Sequence, residues 1–118
     1  ADYLKVIEYK TATAFEVAAR TGAIIANGTE DQIEALTGYG KNIGIAYQIR
    51  DDLFDWKNED KLFNLLIKKS LDPRDVFDKM EEMLKEYSEK ARAYLRKLPD
   101  NDAKINLDNL IKFTSFKA

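Results

Sequence analysis

The 118-residue chain contains no cysteine and no histidine. Without cysteine there is no disulfide scaffold, no thiol nucleophile and no Cys-ligated zinc or iron–sulfur centre. Without histidine the usual imidazole base, the Ser-His-Asp triad and most transition-metal sites are excluded as well. Carboxylate, Lys, Arg, Tyr and hydroxyl remain, and oxygen donors of this kind favour a hard cation such as Mg2+. No apolar run approaches the roughly 20 residues of a membrane span. No signal peptide precedes the first helical pattern, which together with the lack of cysteine points to the cytoplasm. Nor is there a basic stripe: 19 basic and 21 acidic side chains leave a net charge of −2, so nucleic acid is not an expected partner.

Chain punctuation is equally sparse. All five glycines lie in the first 44 residues, and the two prolines are Pro73 and Pro99. No apolar–polar alternation bounded by turn signals appears, so the fold class is all-α. Hydrophobic residues are 45% and charged residues 34% of the chain, a globular composition. Residues 1–118 read as a single all-helical domain or as part of one.

The pattern predicts a first helix from Asp2 to Ala26. Only Glu16 and Arg20 are charged between Thr11 and Gly28, which predicts a helix buried on most sides. Asn27-Gly28 ends it, with Gly28 expected to supply the left-handed stop. Thr29 and Gln32 form a capping box that opens a second helix reaching Trp56. Gly38, Gly40 and Gly44 fall inside it and each costs roughly 1 kcal/mol against Ala. Either they allow close helix packing or their bare backbone leaves room for a ligand. A short third helix is expected over Lys61–Lys69. Asp72 as N-cap and Pro73 as first residue open a fourth. Its stripe is Val76, Phe77, Met80, Met83, Leu84, Tyr87, Ala91, Tyr94, Leu95 and Leu98. Pro99 is expected to stop it, and a last helix covers Asp102–Phe116.

Chemistry concentrates where the second helix ends. Taking Gln48 as zero on a helical wheel, Asp51 lies at about 300°, Asp52 at about 40° and Asp55 at about 340°. These four share one arc, with Gly44 a turn below. Arg50 falls near 200°, apart from the cluster. Like charges at this spacing repel, and the negative end of the helix dipole disfavours them further. Local stability does not select this arrangement; a bound cation does. The other possibility is a solvated, idle acidic helix end. The low charge upstream favours a buried helix whose acids line a cavity. Lys10 and Thr11 open the apolar part of the first helix. Lys10 either snorkels to the surface or points its ammonium at a diphosphate, with the Thr11 hydroxyl as a further donor.

Taken in order, Tyr3-Leu4, Lys10-Thr11-Ala12, Gly22-Ala23 and Gly44-Ile45-Ala46-Tyr47-Gln48-Ile49-Arg50-Asp51-Asp52-Leu53-Phe54-Asp55 resemble the C-terminal half of a trans-isoprenyl diphosphate synthase. Archaeal geranylgeranyl and farnesyl diphosphate synthases are the nearest type. The resemblance is close over residues 3–55 and is one of pattern only after residue 70. It implies a bundle of long helices around a deep cavity, in which an allylic diphosphate condenses with isopentenyl diphosphate. It implies Mg2+ as cofactor, with Asp51 and Asp55 as ligands and Asp52 in support. Lys10 then binds the allylic diphosphate, and Thr11 and Gln48 stabilise the developing cation or leaving group through their oxygens. The family's first aspartate-rich motif, near which side-chain bulk sets product length, and its isopentenyl-diphosphate-binding basic residues precede the matched part. An upstream half or a partner subunit is therefore expected, in a homo- or hetero-oligomer.

Two departures accompany the resemblance. Family members usually carry a Gly-Lys loop after the second aspartate-rich motif, whereas Trp56-Lys57-Asn58-Glu59-Asp60-Lys61 has no glycine. Tyr47 stands where the family prefers Phe. The alternative reading is a non-catalytic helical subunit that pairs with a catalytic chain, and the blander one is an unrelated helical adaptor.

Overall fold

A computed structural model describes residues 11–55 and 73–114. The expected helix at Lys61–Lys69, the Asp72 cap, Trp56 and Lys10 lie outside the described residues, as do the side chains of Asp55 and Val76. All regular structure among the described residues is helical: α1 Thr13–Ile25, α2 Glu30–Asp55, α3 Pro73–Leu95 and α4 Asp102–Thr114. A π turn over Thr11–Ala12 leads into α1.

Helix ends follow local side-chain chemistry. At the start of α2, the Thr29 backbone N–H donates to Gln32 Oε1 at 2.9 Å. The Gln32 N–H donates to Thr29 Oγ1 at 3.2 Å, which completes the expected capping box. Asn101 caps α4 by accepting from the Lys104 N–H at 2.9 Å. At the end of α1 the left-handed residue is Asn27, with φ 59°, and no glycine has positive φ. The expectation for Gly28 was thus one residue late. Asn tolerates this conformation, and Gly28 instead donates its N–H to Ala23 O at 2.9 Å. A Cβ on Gly28 would lie 3.1 Å from that same oxygen. Nor does Pro99 terminate α3 directly. The helix ends at Leu95, and tighter turns carry the chain on, with Leu98 N–H donating to Leu95 O at 3.0 Å.

Helix α2 is the central element. Ile45, Ile49 and Leu53 pack on Met80 and Leu84 of α3, together with Ala12 ahead of α1. Further back along α2, Tyr39 and Ile43 meet Ala91 and Leu95 of α3 and Ile111 of α4. Thus α2 and α3 run antiparallel, and the stripe expected on α3 is its buried face. Buried hydroxyls Ser88 and Thr114 lie 3.2 Å apart across the α3–α4 contact. Tyr39 Oη donates to Leu107 O at 2.8 Å. Burial, aided by the charge of Asp108, raises the Tyr39 hydroxyl pKa above its ordinary value.

Close packing accounts for the glycines of α2. A methyl group on Gly40 would meet Ala19 Cβ and Phe15 O at 2.7 Å each. One on Gly44 would meet Phe15 Cδ2 at 2.8 Å and Ala12 Cα at 3.0 Å, and one on Gly38 would collide with the Tyr94 ring. In contrast, α1 is not buried on most sides. Val17, Ile24 and Ile25 are 55, 51 and 76% exposed. Its low charge signals a face suited to burial, but among the described residues no element covers that face.

Candidate functional site

The site is assembled where the start of α1 crosses the C-terminal part of α2. Gly44 lets the backbone at Ala12 approach closely, and this sets Thr11 against Gln48. Thr11 Oγ1 donates to Gln48 Oε1 at 2.9 Å. One turn further on, Gln48 Nε2 donates to Asp52 Oδ1 at 3.0 Å. A continuous relay therefore runs Thr11–Gln48–Asp52, with the Gln48 amide fixed by one partner at each end. Asp52 is only 6% exposed. A buried carboxylate is costly unless hydrogen-bonded, and the Gln48 amide supplies such a bond.

Asp51 lies on the neighbouring face of α2 and is more open. Its Oδ1 is 3.5 Å from Arg50 Nη1, with side-chain exposures of 41% for Asp51 and 18% for Arg50. The wheel separated Arg50 from the acidic cluster, and this expectation is corrected. A wheel records where Cβ points, whereas the long, flexible Arg side chain bends back to its sequence neighbour. The Arg50 guanidinium also lies over the Phe113 ring of α4, 4.3 Å from its centroid. That ring stacks on Tyr47 at 6.4 Å, and Tyr47 meets Phe15 of α1 edge-on at 6.0 Å. Nothing in the local pattern around Phe113 points to a helix about sixty residues earlier, so its place here is a product of the fold.

Of the residues expected at the site, Thr11, Gln48 and Asp52 are brought together directly, and Asp51 adjoins them. Asp55 belongs to α2, but its side chain is outside the described residues, as is Lys10. Among the described residues no group of three or more His, Cys, Asp or Glu side chains could hold a metal ion by itself. The donor set is all oxygen and suits Mg2+, which characteristically takes one or two carboxylates and completes its shell with water and substrate phosphates. The residues present therefore fit part of the shell of such a cation, not an all-protein cage.

An opening of about 780 Å3 lies between the end of α3 and α4. Its lining includes two ion pairs, Arg92 with Asp108 at 3.3 Å and Lys104 with Asp100 at 2.9 Å. The Thr11–Gln48–Asp52 relay lies elsewhere, on α2 and the turn ahead of α1. Among the described residues no helix is long and apolar enough to cross a membrane.

Comparison with known proteins defines the class first. A geranyltranstransferase from Methanosarcina mazei superimposes with a TM-score of 0.84 at 25% identity, over 97% of this chain and 43% of that one. A polyprenyl synthase from Caulobacter crescentus CB15, solved with calcium and isoprenyl diphosphate, gives 0.77 at 28% identity, over 98% and 47%. The fold is that of the all-α isoprenyl synthases. In sequence, the octaprenyl diphosphate synthase of Haemophilus influenzae is 50% identical over 56 residues, 48% of this chain and 17% of the relative. The geranylfarnesyl diphosphate synthase of Natronomonas pharaonis is 46% identical over 54 residues, 46% of this chain and 16% of the relative. The polyprenyl synthetase family model matches residues 1–69, and the chain belongs to that family. It spans less than half the length of the two superimposed structures.

Proposed function

We propose that this chain is the C-terminal part of a cytoplasmic trans-prenyltransferase that condenses an allylic diphosphate with isopentenyl diphosphate. The observation that carries this reading is the Thr11–Gln48–Asp52 relay beside the open carboxylate of Asp51. In the reaction the bond from the allylic carbon to diphosphate breaks, and the electron pair leaves with the diphosphate. The double bond of isopentenyl diphosphate then attacks the allylic cation. Mg2+, when bound, neutralises charge on the departing diphosphate.

This chain's own residues prepare that event. Asp51 and Asp55 would hold Mg2+, and Asp52 supports them from its buried position. Gln48 is locked so that Nε2 serves Asp52 and Oε1 keeps a lone pair beyond the one Thr11 uses. The Gln48 and Thr11 oxygens offer fixed dipoles to developing positive charge without carrying a charge themselves. Lys10 meets the diphosphate. No imidazole is needed. The remaining carboxylates and basic groups come from an upstream half or a partner subunit.

Calorimetric titration of a non-hydrolysable allylic diphosphate analogue, with and without Mg2+, tests this. Binding is expected only with Mg2+. In the double variant Asp51→Asn, Asp55→Asn it is expected to vanish while circular dichroism shows unchanged helicity. Retained Mg2+-dependent binding in that variant overturns the metal assignment. A second reading is a non-catalytic helical subunit that pairs with a catalytic chain. Analogue binding that arises only after a catalytic synthase chain is added selects that second reading.

A further inference from the structure

We infer that Asn27 is a site of spontaneous covalent modification, at which the side-chain amide converts to a carboxylate through a cyclic imide, and that the turn joining α1 to α2 holds this reaction off until it opens. Asn27 is the one asparagine of the chain that a glycine follows. The turn itself calls for this dipeptide. Asn27 takes the left-handed conformation, with φ 59°, which asparagine tolerates. Gly28 brings its nitrogen to 2.9 Å from Ala23 O, and a Cβ on it would lie 3.1 Å from that same oxygen. These two demands set an amide side chain beside a backbone nitrogen that no Cβ shields.

In the reaction Gly28 N attacks Asn27 Cγ. The new N–C bond forms, the Cγ–Nδ2 bond breaks, and ammonia leaves with the Gly28 amide proton. Water then opens the ring at either carbonyl and gives aspartate or its isoaspartyl isomer. Water is the co-reactant, and Asn27 is exposed to it. The folded turn opposes the first step. Asn27 N–H donates to Ile24 O at 3.0 Å and Gly28 N–H to Ala23 O at 2.9 Å, the paired bonds of a Schellman motif. Beyond them the Thr29–Gln32 capping box fixes the start of α2. For Gly28 N to reach Cγ, the peptide between the two residues must rotate, and this breaks the bond to Ala23 O. The reaction therefore proceeds from opened turns, which a helix end populates more than a packed core. Its products loosen the turn further. A carboxylate at position 27 stands at the negative end of α1, whose last turn holds no basic residue, and just ahead of Glu30 and Asp31. Both placements are unfavourable for an anion. The isoaspartyl form also adds a methylene to the backbone and draws Gly28 N away from Ala23 O.

The test is incubation of the full chain in mildly alkaline buffer, with and without urea. Conversion at Asn27 is read by mass spectrometry of the tryptic fragment spanning residues 21–41. It is expected in the urea-unfolded chain and at least about tenfold slower in the native chain. Gln32→Ala removes the acceptor of the Thr29 N–H and leaves the dipeptide itself intact. It is expected to speed native conversion severalfold without changing the unfolded rate. Converted chains, separated by anion exchange, are expected to unfold at lower urea than unconverted ones. No conversion in the unfolded chain overturns the site. Equal rates with and without urea, with circular dichroism showing intact helices in buffer, overturn the control by the turn. A native rate in Gln32→Ala equal to that of wild type removes the capping box from that control. Equal urea midpoints for converted and unconverted chains overturn the loosening.

Discussion

The same substitution, Gly to Ala, should have opposite effects at two helical positions, and the structure supplies the reason. Gly22 lies in α1, and a Cβ there meets nothing within 4 Å. Gly22→Ala therefore gains helix propensity and restricts the unfolded chain, worth about 0.5–1 kcal/mol. At Gly40 the propensity gain is similar, but the added carbon lies 2.7 Å from both Ala19 Cβ and Phe15 O. One of those atoms is backbone carbonyl and cannot rotate away. α1 must then move off α2, at a packing cost of about 1–3 kcal/mol. That movement also pulls on the 2.9 Å bond between Thr11 and Gln48, adding about 1 kcal/mol if the bond is lost. The net expectation for Gly40→Ala is a loss of about 1–3 kcal/mol, so the two variants differ by about 2–4 kcal/mol. Urea unfolding followed by circular dichroism at 222 nm measures both, and the slope should stay constant. A Gly40→Ala chain as stable as wild type would refute the claim that backbone contact, and not ligand space, explains the glycines of α2.

Two further outcomes follow from single hydrogen bonds. Gln48→Leu removes the amide that serves both Thr11 and the buried Asp52. Because one of those bonds goes to a carboxylate, the expected loss is about 2–3 kcal/mol, read by urea unfolding at pH 7; a loss below 0.5 kcal/mol contradicts the relay. Tyr39→Phe should cost about 1 kcal/mol near neutrality through the lost bond to Leu107 O. The Tyr39 hydroxyl pKa is raised in the folded chain by burial and by Asp108, so the unfolded chain ionises first. Wild-type stability should therefore fall as pH rises above about 10, the unfolded value. The Phe variant lacks that component, and the gap between the two should narrow in alkali. Parallel pH profiles for the two chains would contradict it.

The capping box of α2 and the buried stripe of α3 were legible in the sequence because they depend on residues within a few positions of one another. Thr29 and Gln32 cap each other across three residues, and no distant element is needed to bring that about. The stop after α1 was placed at the right dipeptide. Which residue turned left-handed was decided by the fit of Gly28 beneath Ala23 O, which spacing does not encode. The candidate residues Thr11, Gln48, Asp51 and Asp52 were chosen by type and order. Thr11 and Gln48 stand 37 positions apart, and their contact exists only because Gly40 and Gly44 let α1 press against α2.

Burial and charge pairing belong to the tertiary structure. The apolar circumference of α1 suggested a helix buried on most sides, yet Val17, Ile24 and Ile25 remain exposed. A sequence states that a face is suited to burial, and only the packed neighbours decide whether it is covered. Arg50 was assigned to the far side of its helix, yet the structure places it between Asp51 and Phe113. A long cation settles by the field around it, and that field includes a ring from a helix distant in sequence. Sequence alone was enough for the all-helical class, the Thr29–Gln32 capping box and the apolar stripe of α3, all of which arise from local interactions. Tertiary structure decided which donors meet, which carboxylate is buried and which keeps a cation, because those outcomes depend on desolvation and contact between distant segments.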